Sequence, residues 1–388
     1  MRKKIYLDYA ATTPIDPRVF KAMKPYFSQD FGNTMSPHSF GQRANQALEK
    51  SRKIIADFIK ANPEEIFFTS SATESNNLAL KGAAFANKYR GKNHLIVSQI
   101  EHDCVLESAN WLKEQGFEVT FLPVDRYGLV KINELEKAIK NNTVLVSIIH
   151  GNNEIGTTQD VSAVGKLCRK KGVYFHTDAS QSLGKVPLDV KRMNIDLLTA
   201  SSHKIYGPKG AALLFVRKGI AIEPILHGGG HESGLRSSTS NVAAIVGFAK
   251  ACEILLNEGN KENKKLTNLR DLLIKKILTS IKGTRLNGHP KRRLSNNINI
   301  SFADVEGESL LLELDFYGIA VSTGSACSSK TLKPSHVLTA IGLKPQEAHG
   351  SLRISLGRFT KKEDIDYFVK TLITTVTKLR KISPFAYG

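Results

Sequence analysis

Tryptophan occurs once and cysteine four times in the 388 residues. The cysteines stand far apart, at 104, 168, 252 and 327, with no C-x-x-C pair. That spacing excludes a disulfide framework and a structural zinc site, and it fits a reducing compartment. Long apolar runs are also missing. The longest, Val242 to Ala249, ends at Lys250, too short for a membrane span. The N-terminus is basic, but Asp8 and Thr12-Thr13-Pro14 follow at once, so no apolar core of signal-peptide length forms. No repeat, low-complexity tract or Pro/Gly/Ser-rich linker breaks the chain into blocks. The expectation is a soluble cytoplasmic protein with no membrane contact.

What is present is ordinary globular composition, 41% hydrophobic and 23% charged, long enough to bury a full core. Lys+Arg number 55 against 36 Asp+Glu, a net charge of 55 − 36 = +19. The excess is spread over Arg169-Lys170-Lys171, Lys275-Lys276, Lys291-Arg292-Arg293 and Lys361-Lys362. No aromatics interleave these clusters and no nucleic-acid module surrounds them, so they read as solvated helix faces. Direct nucleic-acid binding is not expected.

From about Gln42, Ala44, Ala47, Leu48, Ser51, Ile55 and Phe58 share one helical face, and Asn62-Pro63 stops the run. Strand-like runs follow at Glu65–Phe68, His94–Val97, Glu118–Leu122, Thr143–Ile149, Val173–Phe175, Leu197–Ala200 and Ala211–Val216. Amphipathic stretches such as Val161 to Lys171 lie between several of them. Buried strands alternating with helices predict an α/β domain with a mostly parallel sheet. Near residue 260 the polar segment Asn257 to Lys265 precedes a helix carrying Leu266, Leu269, Leu273, Ile277 and Ile281. Strand-like pieces at Asn297–Phe302, Ile319–Ser322 and Leu352–Leu356 then predict a smaller α+β domain. A cofactor site is expected in the cleft between the two.

Four segments could carry chemistry. Thr69-Ser70-Ser71-Ala72-Thr73-Glu74-Ser75-Asn76-Asn77 follows a strand. Its small, hydroxylated residues either cradle a phosphate at a helix start or simply cap that helix. Asp178 ends an apolar strand, where open α/β sheets place ligand groups; a capping aspartate is the plainer alternative. Lys204 stands beyond another strand and before Gly207-Pro208, and is either a Schiff-base lysine or a turn lysine. Each is weak alone. Together they are the three handles that pyridoxal phosphate needs: a phosphate anchor, a partner for the ring nitrogen and an amine for the aldehyde. Finally, Cys327 lies among small polar residues, Val321 to Lys330, unlike Cys104, Cys168 and Cys252, whose contexts suit the core. An accessible loop thiol suits a nucleophile. Arg353, alone in a strand, needs a partner, whether a substrate carboxylate or an internal ion pair.

Leu7-Asp8-Tyr9-Ala10-Ala11-Thr12-Thr13, the 69–77 segment, Glu101-His102, Asn152-Asn153-Glu154-Ile155-Gly156, Ser201-Ser202-His203-Lys204 and Gly324-Ser325-Ala326-Cys327-Ser328-Ser329 occur in this order. With them the chain resembles the cysteine desulfurases of the NifS/IscS-like branch, class V aminotransferases and fold-type I pyridoxal phosphate enzymes. The resemblance runs from about Ile5 to about Pro384. It implies a large cofactor domain over 15–260, and a small domain of 1–14 and 261–388 carrying the catalytic Cys327. Lys204 would hold the cofactor, Asp178 would face its ring nitrogen, and His102 would stack on the ring and assist proton transfers. Asn153 and Gln181 would bond the ring oxygen side. Thr73, Ser201, His203 and the Ala72 backbone would hold the phosphate. Thr239 would reach the partner's phosphate in a homodimer, and Asn33 and Arg353 would bind the substrate carboxylate. The implied reaction turns L-cysteine into L-alanine and leaves sulfur as a persulfide on Cys327, for an iron–sulfur scaffold protein or a tRNA-thiolation acceptor. A transient iron–sulfur cluster on Cys327 is part of the same pattern. The alternatives are a selenocysteine lyase or another fold-type I enzyme such as an aminotransferase, which has no use for Cys327.

Overall fold

The computed structural model describes residues 4–323 and 334–382; Cys327 lies outside the described residues. The chain begins with β1 (Ile5–Tyr6), α1 (Pro17–Met23), α2 (Ser39–Ile59), β2 (Ile66–Thr69), α3 (Ala72–Lys88) and β3 (His94–Ser98). It continues through α4 (Asp103–Glu114), β4 (Glu118–Leu122), α5 (Ile132–Ala138), β5 (Thr143–Ser147), α6 (Val161–Lys171) and β6 (Tyr174–Asp178). Then come β7 (Leu197–Ser201), β8 (Ala212–Val216), α7 (Val242–Ser280), β9 (Thr284–Leu286) and β10 (Asn297–Phe302). The last elements are α8 (Gly307–Phe316), β11 (Ile319–Ala320), α9 (His336–Ala340), α10 (Pro345–His349), β12 (Ser351–Ser355) and α11 (Lys362–Ile382).

Seven strands form one sheet in the order β2-β8-β7-β6-β5-β3-β4. From β7 to β4 every neighbouring pair is parallel, and β8 runs antiparallel to both β7 and β2. Parallel neighbours need a crossover, which the helices supply, and helices cover both faces. The central strands are therefore buried along their whole length and read as continuous apolar runs, as in Thr143-Val144-Leu145-Val146-Ser147. This is the expected α/β domain with a mostly parallel sheet.

α6 shows how locally the sequence writes these crossovers. Asp160 caps it by accepting from the Ala163 N–H at 3.0 Å, and Val161, Val164, Leu167 and Cys168 form its buried face. Arg169, Lys170 and Lys171 complement the negative end of the helix dipole. Gly172, at φ 67°, then ends it in the left-handed conformation. α2 starts three residues earlier than the apolar face suggests, because the His38 side chain accepts from the Gly41 N–H and caps Ser39.

Two expectations need correction. The segment after Asn257 does not separate two helices: α7 is continuous from Val242 to Ser280. Its polar middle is occupied in contacts, with Glu258 paired to Arg18 at 2.5 Å and Glu262 to Arg358 at 2.8 Å. One glycine there, without a proline, is too weak a breaker to end the helix. The cluster at 291–293 is no solvated helix face either. Arg293 is buried, donating to the carbonyls of Asn287 and Asn297.

One hydrophobic core follows the large sheet, with Ile96, Val146, Phe175, Leu198, Phe215 and Phe248 at its centre. A second contains Leu273, Ile300, Leu352 and Phe368, and Ile5 and Leu7 from the N-terminus join it. That placement follows from pairing: β1 runs parallel to β11, while β12, β10 and β9 form an antiparallel sheet. The chain after β1 crosses back to the large sheet, carrying Tyr9, Ala10 and Ala11 over the ends of β6 and β7. Gln181 and Lys204 hold it there through bonds to the Ala10 carbonyl.

Candidate active site

Asp178 is the last residue of β6 and Ser201 the last of β7. Their C-terminal ends open onto a cavity of about 240 Å³, the position where open α/β sheets bind ligands. Ala72, Thr73, His102, Asn153, Asp178, Gln181, His203, Lys204 and Arg353 line it. Residues spread over nearly 300 positions of sequence thus meet at one place. Ser201 is buried at its strand end but not among the lining residues. Asn33 and Thr239 are exposed and stand outside the cavity wall of this chain.

α3 starts at the cavity because Ser71 caps it. Its hydroxyl accepts from the Glu74 N–H at 3.1 Å, and its carbonyl accepts from the Ser75 N–H at 3.0 Å. Ser71 does the capping, and Ala72 and Thr73, in the first turn at the positive end of the helix, line the cavity.

Asp178 is held from both sides. Its Oδ1 accepts from the Ser180 N–H at 2.8 Å and its Oδ2 from Asn76 Nδ2 at 2.7 Å. Lys204 sits in the short turn that follows β7, and its Nζ donates to the carbonyls of Ala10 and Ala11 at 2.7 Å each. Gly207 lets that turn close: a Cβ there would stand 2.0 Å from Ser202 Oγ. His203 Nδ1 meets Thr12 Oγ1 at 3.0 Å, and burial together with the Lys204 and Lys209 charges holds its pKa down at about 4. The ring is therefore neutral at pH 7.

His102 caps α4, its Nδ1 accepting from the Cys104 N–H at 3.2 Å. That bond fixes the neutral tautomer with its proton on Nε2. Gln181 donates to the Ala10 carbonyl at 2.8 Å. Arg353 forms an internal ion pair: Nη2 meets Asp8 Oδ1 at 3.0 Å, and Nη1 reaches the Asn153 carbonyl at 3.4 Å. Its Nε, though buried, has no partner among the described residues.

Sequence reasoning missed several residues here. Cys104, expected in the core with Cys168 and Cys252, is a wall of the cavity. Burial and the Asp178 charge push its thiol up to about 12, so it stays protonated. Asp8, Asn76 and Ser180 were also missed. Asp8 and Asn76 lie inside motifs already singled out and Ser180 stands two residues from Asp178, so proximity to those residues was the available signal.

Buried polar atoms are rarely left unpaired, yet Asn153 Oδ1, Ser180 Oγ and Arg353 Nε are all unpaired around this one cavity. With a helix start at one wall and a carboxylate at another, the residues fit a polar, phosphorylated ring such as pyridoxal phosphate. The architecture that assembles them is that of the fold-type I enzymes, which use this cofactor.

The chain belongs to the aminotransferase class-V family, whose profile matches residues 5–368. It is 50% identical over 385 residues to the cysteine desulfurase IscS of Dictyoglomus turgidum, covering 99% of this chain and 98% of that protein. The mitochondrial cysteine desulfurase of Eremothecium gossypii is 49% identical, over 98% of this chain and 78% of its own. Among solved structures, a NifS-like protein superposes with a TM-score of 0.91 at 39% identity, covering 97% of this chain and 100% of its own. A structure described as SspA in complex with cysteine has a TM-score of 0.82 at 40% identity, covering 92% and 100%.

Proposed function

We propose that this chain takes the sulfur of L-cysteine onto Cys327 as a persulfide, releases L-alanine, and passes the sulfur to an iron–sulfur scaffold protein or a tRNA-thiolation acceptor. The broader statement rests on family and on half-identity along the whole chain: it is a pyridoxal-phosphate-dependent cysteine desulfurase. The observation that carries the reading is the convergence of Lys204, Asp178, His102 and the α3 start on one cavity.

In this reading Lys204 holds the cofactor, Asp178 faces its ring nitrogen, and Ala72, Thr73, Ser201 and His203 hold its phosphate, with Asn153 and Gln181 beside the ring oxygen. Bound there, pyridoxal phosphate supplies an electron sink for a carbanion at the substrate α-carbon. The chain's own residues do the rest. Arg353 offers its unpaired Nε, next to an already oriented fork, to the substrate carboxylate, and Asn33 is assigned to the same group. Lys204 takes the α-proton, and His102 assists with the proton on its Nε2. The Cys327 thiolate attacks the substrate sulfur and a new S–S bond forms. The C–S bond breaks, its electron pair stays with the carbon, and that carbon takes a proton to become the methyl group of alanine, while Lys204 gives the proton it took back to the α-carbon.

The division into a domain of 15–260 and one of 1–14 with 261–388 belongs to this reading, and the two buried cores support it. So does a homodimer in which Thr239 serves the partner's site, supported by the position of Thr239 outside its own cavity. We place the enzyme in the cytoplasm. Cys104, Cys168 and Cys252 are unpaired, and no helix among the described residues is long and apolar enough to cross a membrane. No direct nucleic-acid contact is included, and a transient cluster on Cys327 remains a proposal about a residue outside the described ones.

The test measures alanine and sulfide from L-cysteine with a dithiol reductant, for wild type and Cys327→Ala. Equal release by wild type, with neither product from a variant that keeps its cofactor absorbance, supports the reading. Continued turnover by the variant overturns it.

A further inference from the structure

Asn76 has no place in the roles described so far, yet it occupies a position that few side chains tolerate. It is fully buried on α3, and its Nδ2 lies 2.7 Å from Asp178 Oδ2 and 3.1 Å from Cys104 Sγ. Its Oδ1 has no partner. An apolar residue of the same shape would avoid that unpaired oxygen, so packing alone does not account for an asparagine here. The amide orientation is dictated by chemistry: an ionised carboxylate only accepts, so the NH₂ group must face Asp178.

Asn76 is also three residues from Thr73, on the same face of the same helix. The helix is pinned where it matters. Ser75, between them, bonds Thr69 Oγ1 at 2.7 Å and donates to the Leu213 carbonyl at 3.0 Å, tying the first turn of α3 to β2 and β8. One rigid element therefore carries both the phosphate end of the site and a donor to the acid at its far wall.

We propose that Asn76 is a positioning residue for the cofactor ring: with the Ser180 N–H it fixes the plane of the Asp178 carboxylate, at a set distance from the phosphate cradle. The inference rests on the reading that Asp178 faces the ring nitrogen. One donor on each oxygen leaves each a further lone pair, so the carboxylate can still accept from a ring N–H. The titratable groups facing Asp178 are His176, Glu101 and Cys104. None of them donates to its carboxylate, so Asn76 and the Ser180 backbone supply that support.

The discriminating variant is Asn76→Asp, which keeps the shape and replaces the donor with a second carboxylate. Two carboxylates at hydrogen-bond distance cannot both ionise and must share a proton. The readouts are release of pyridoxal phosphate from the holoenzyme and its visible absorption band, followed from about pH 6 to about pH 8. Asn76→Asp is expected to release the cofactor roughly tenfold faster than wild type at the upper pH, with the gap closing as pH falls, and to give a pH-dependent band. Asn76→Ala is expected to release faster at every pH, without the added pH dependence. A structural role alone would lower the melting temperature of both variants and leave the band and its pH profile as in wild type.

Asp178→Asn separates the two levels of the argument. If it changes release and band while Asn76→Asp and Asn76→Ala match wild type, the positioning role is overturned and the Asp178 reading stands. If Asp178→Asn itself matches wild type, the reading of Asp178 fails and this inference with it. Should Asn76→Asp not fold, wild-type release from Asn76→Ala is sufficient to overturn the proposal.

Discussion

Asp8 and Arg353 come from opposite ends of the chain, and their ion pair at 3.0 Å holds one arm of the guanidinium while the buried Nε stays unpaired. An arginine pre-oriented in this way pays less entropy when a carboxylate binds. Asp8→Asn is expected to raise KM for L-cysteine about tenfold with kcat changed little, because it removes an orienting charge and no reacting group. Steady-state kinetics check it, and a kcat loss with constant KM would contradict it. Lys204→Ala is expected to abolish alanine release, about a thousandfold or more, and to remove the visible band of the lysine-bound cofactor. Lys204, Asp178 and Arg353 were legible as candidates because each is a polar residue at the end of, or alone within, an apolar strand, whereas His102 came only with the family resemblance. Asp8 and Asn76 were not, because their importance lies in a partner 345 or 102 positions away.

The elements carry predictions of their own. The segment before Leu235 turns through left-handed backbone at Glu232 and Ser233, at φ 50° and 55°. It is held there by Glu232, whose carboxylate accepts from both Arg52 Nη atoms, at 2.8 and 2.9 Å, and from the Phe68 N–H at 2.8 Å. Glu232→Ala removes two of the bonds to the Arg52 guanidinium, which keeps Glu49 and the Ile66 carbonyl, and frees the Phe68 N–H, so a loss of about 2 kcal/mol in urea unfolding is expected. Ser71→Ala removes the cap of α3 and should cost about 1 kcal/mol, with faster release of the cofactor because the first turn frays at the phosphate end. The helices and strands were largely legible because their periodicity, caps and breakers are local. α6 matches its amphipathic stretch from Val161 to Lys171. α7 did not match, because the polar stretch in its middle is partnered by Arg18 and Arg358, which no local pattern reveals.

At the scale of the whole molecule, buried titratable groups set how stability depends on pH. Burial holds His150 and His203 down at about 4, and His176 is lowered likewise. The unfolded chain binds those protons first, so stability falls as pH drops below about 6.5. Burial raises Glu101 to about 8 and Glu154 to about 7. The folded chain keeps those protons where the unfolded chain has lost them, so stability falls as pH rises from about 4.5 to about 8. Three histidines outweigh two glutamates below about pH 6.5, and just above it the two glutamates outweigh the smaller opposing contribution of Lys185, which burial lowers to about 8. The urea midpoint is therefore expected to peak near about pH 6.5 and to be lower at both about 5 and about 8; a midpoint rising steadily across that range would refute the assignment. The sequence by itself determined the α/β class, the order of the main-sheet strands along the chain and the polar residues at strand ends that became site candidates, because hydrophobic period, caps and strand-end polar residues are local properties. Tertiary structure alone decided that Asp8 meets Arg353, that Asn76 braces Asp178 and that Cys104 faces the cavity. Those contacts depend on strand order and on the N-terminal segment crossing the sheet, and packing over long sequence separations sets both.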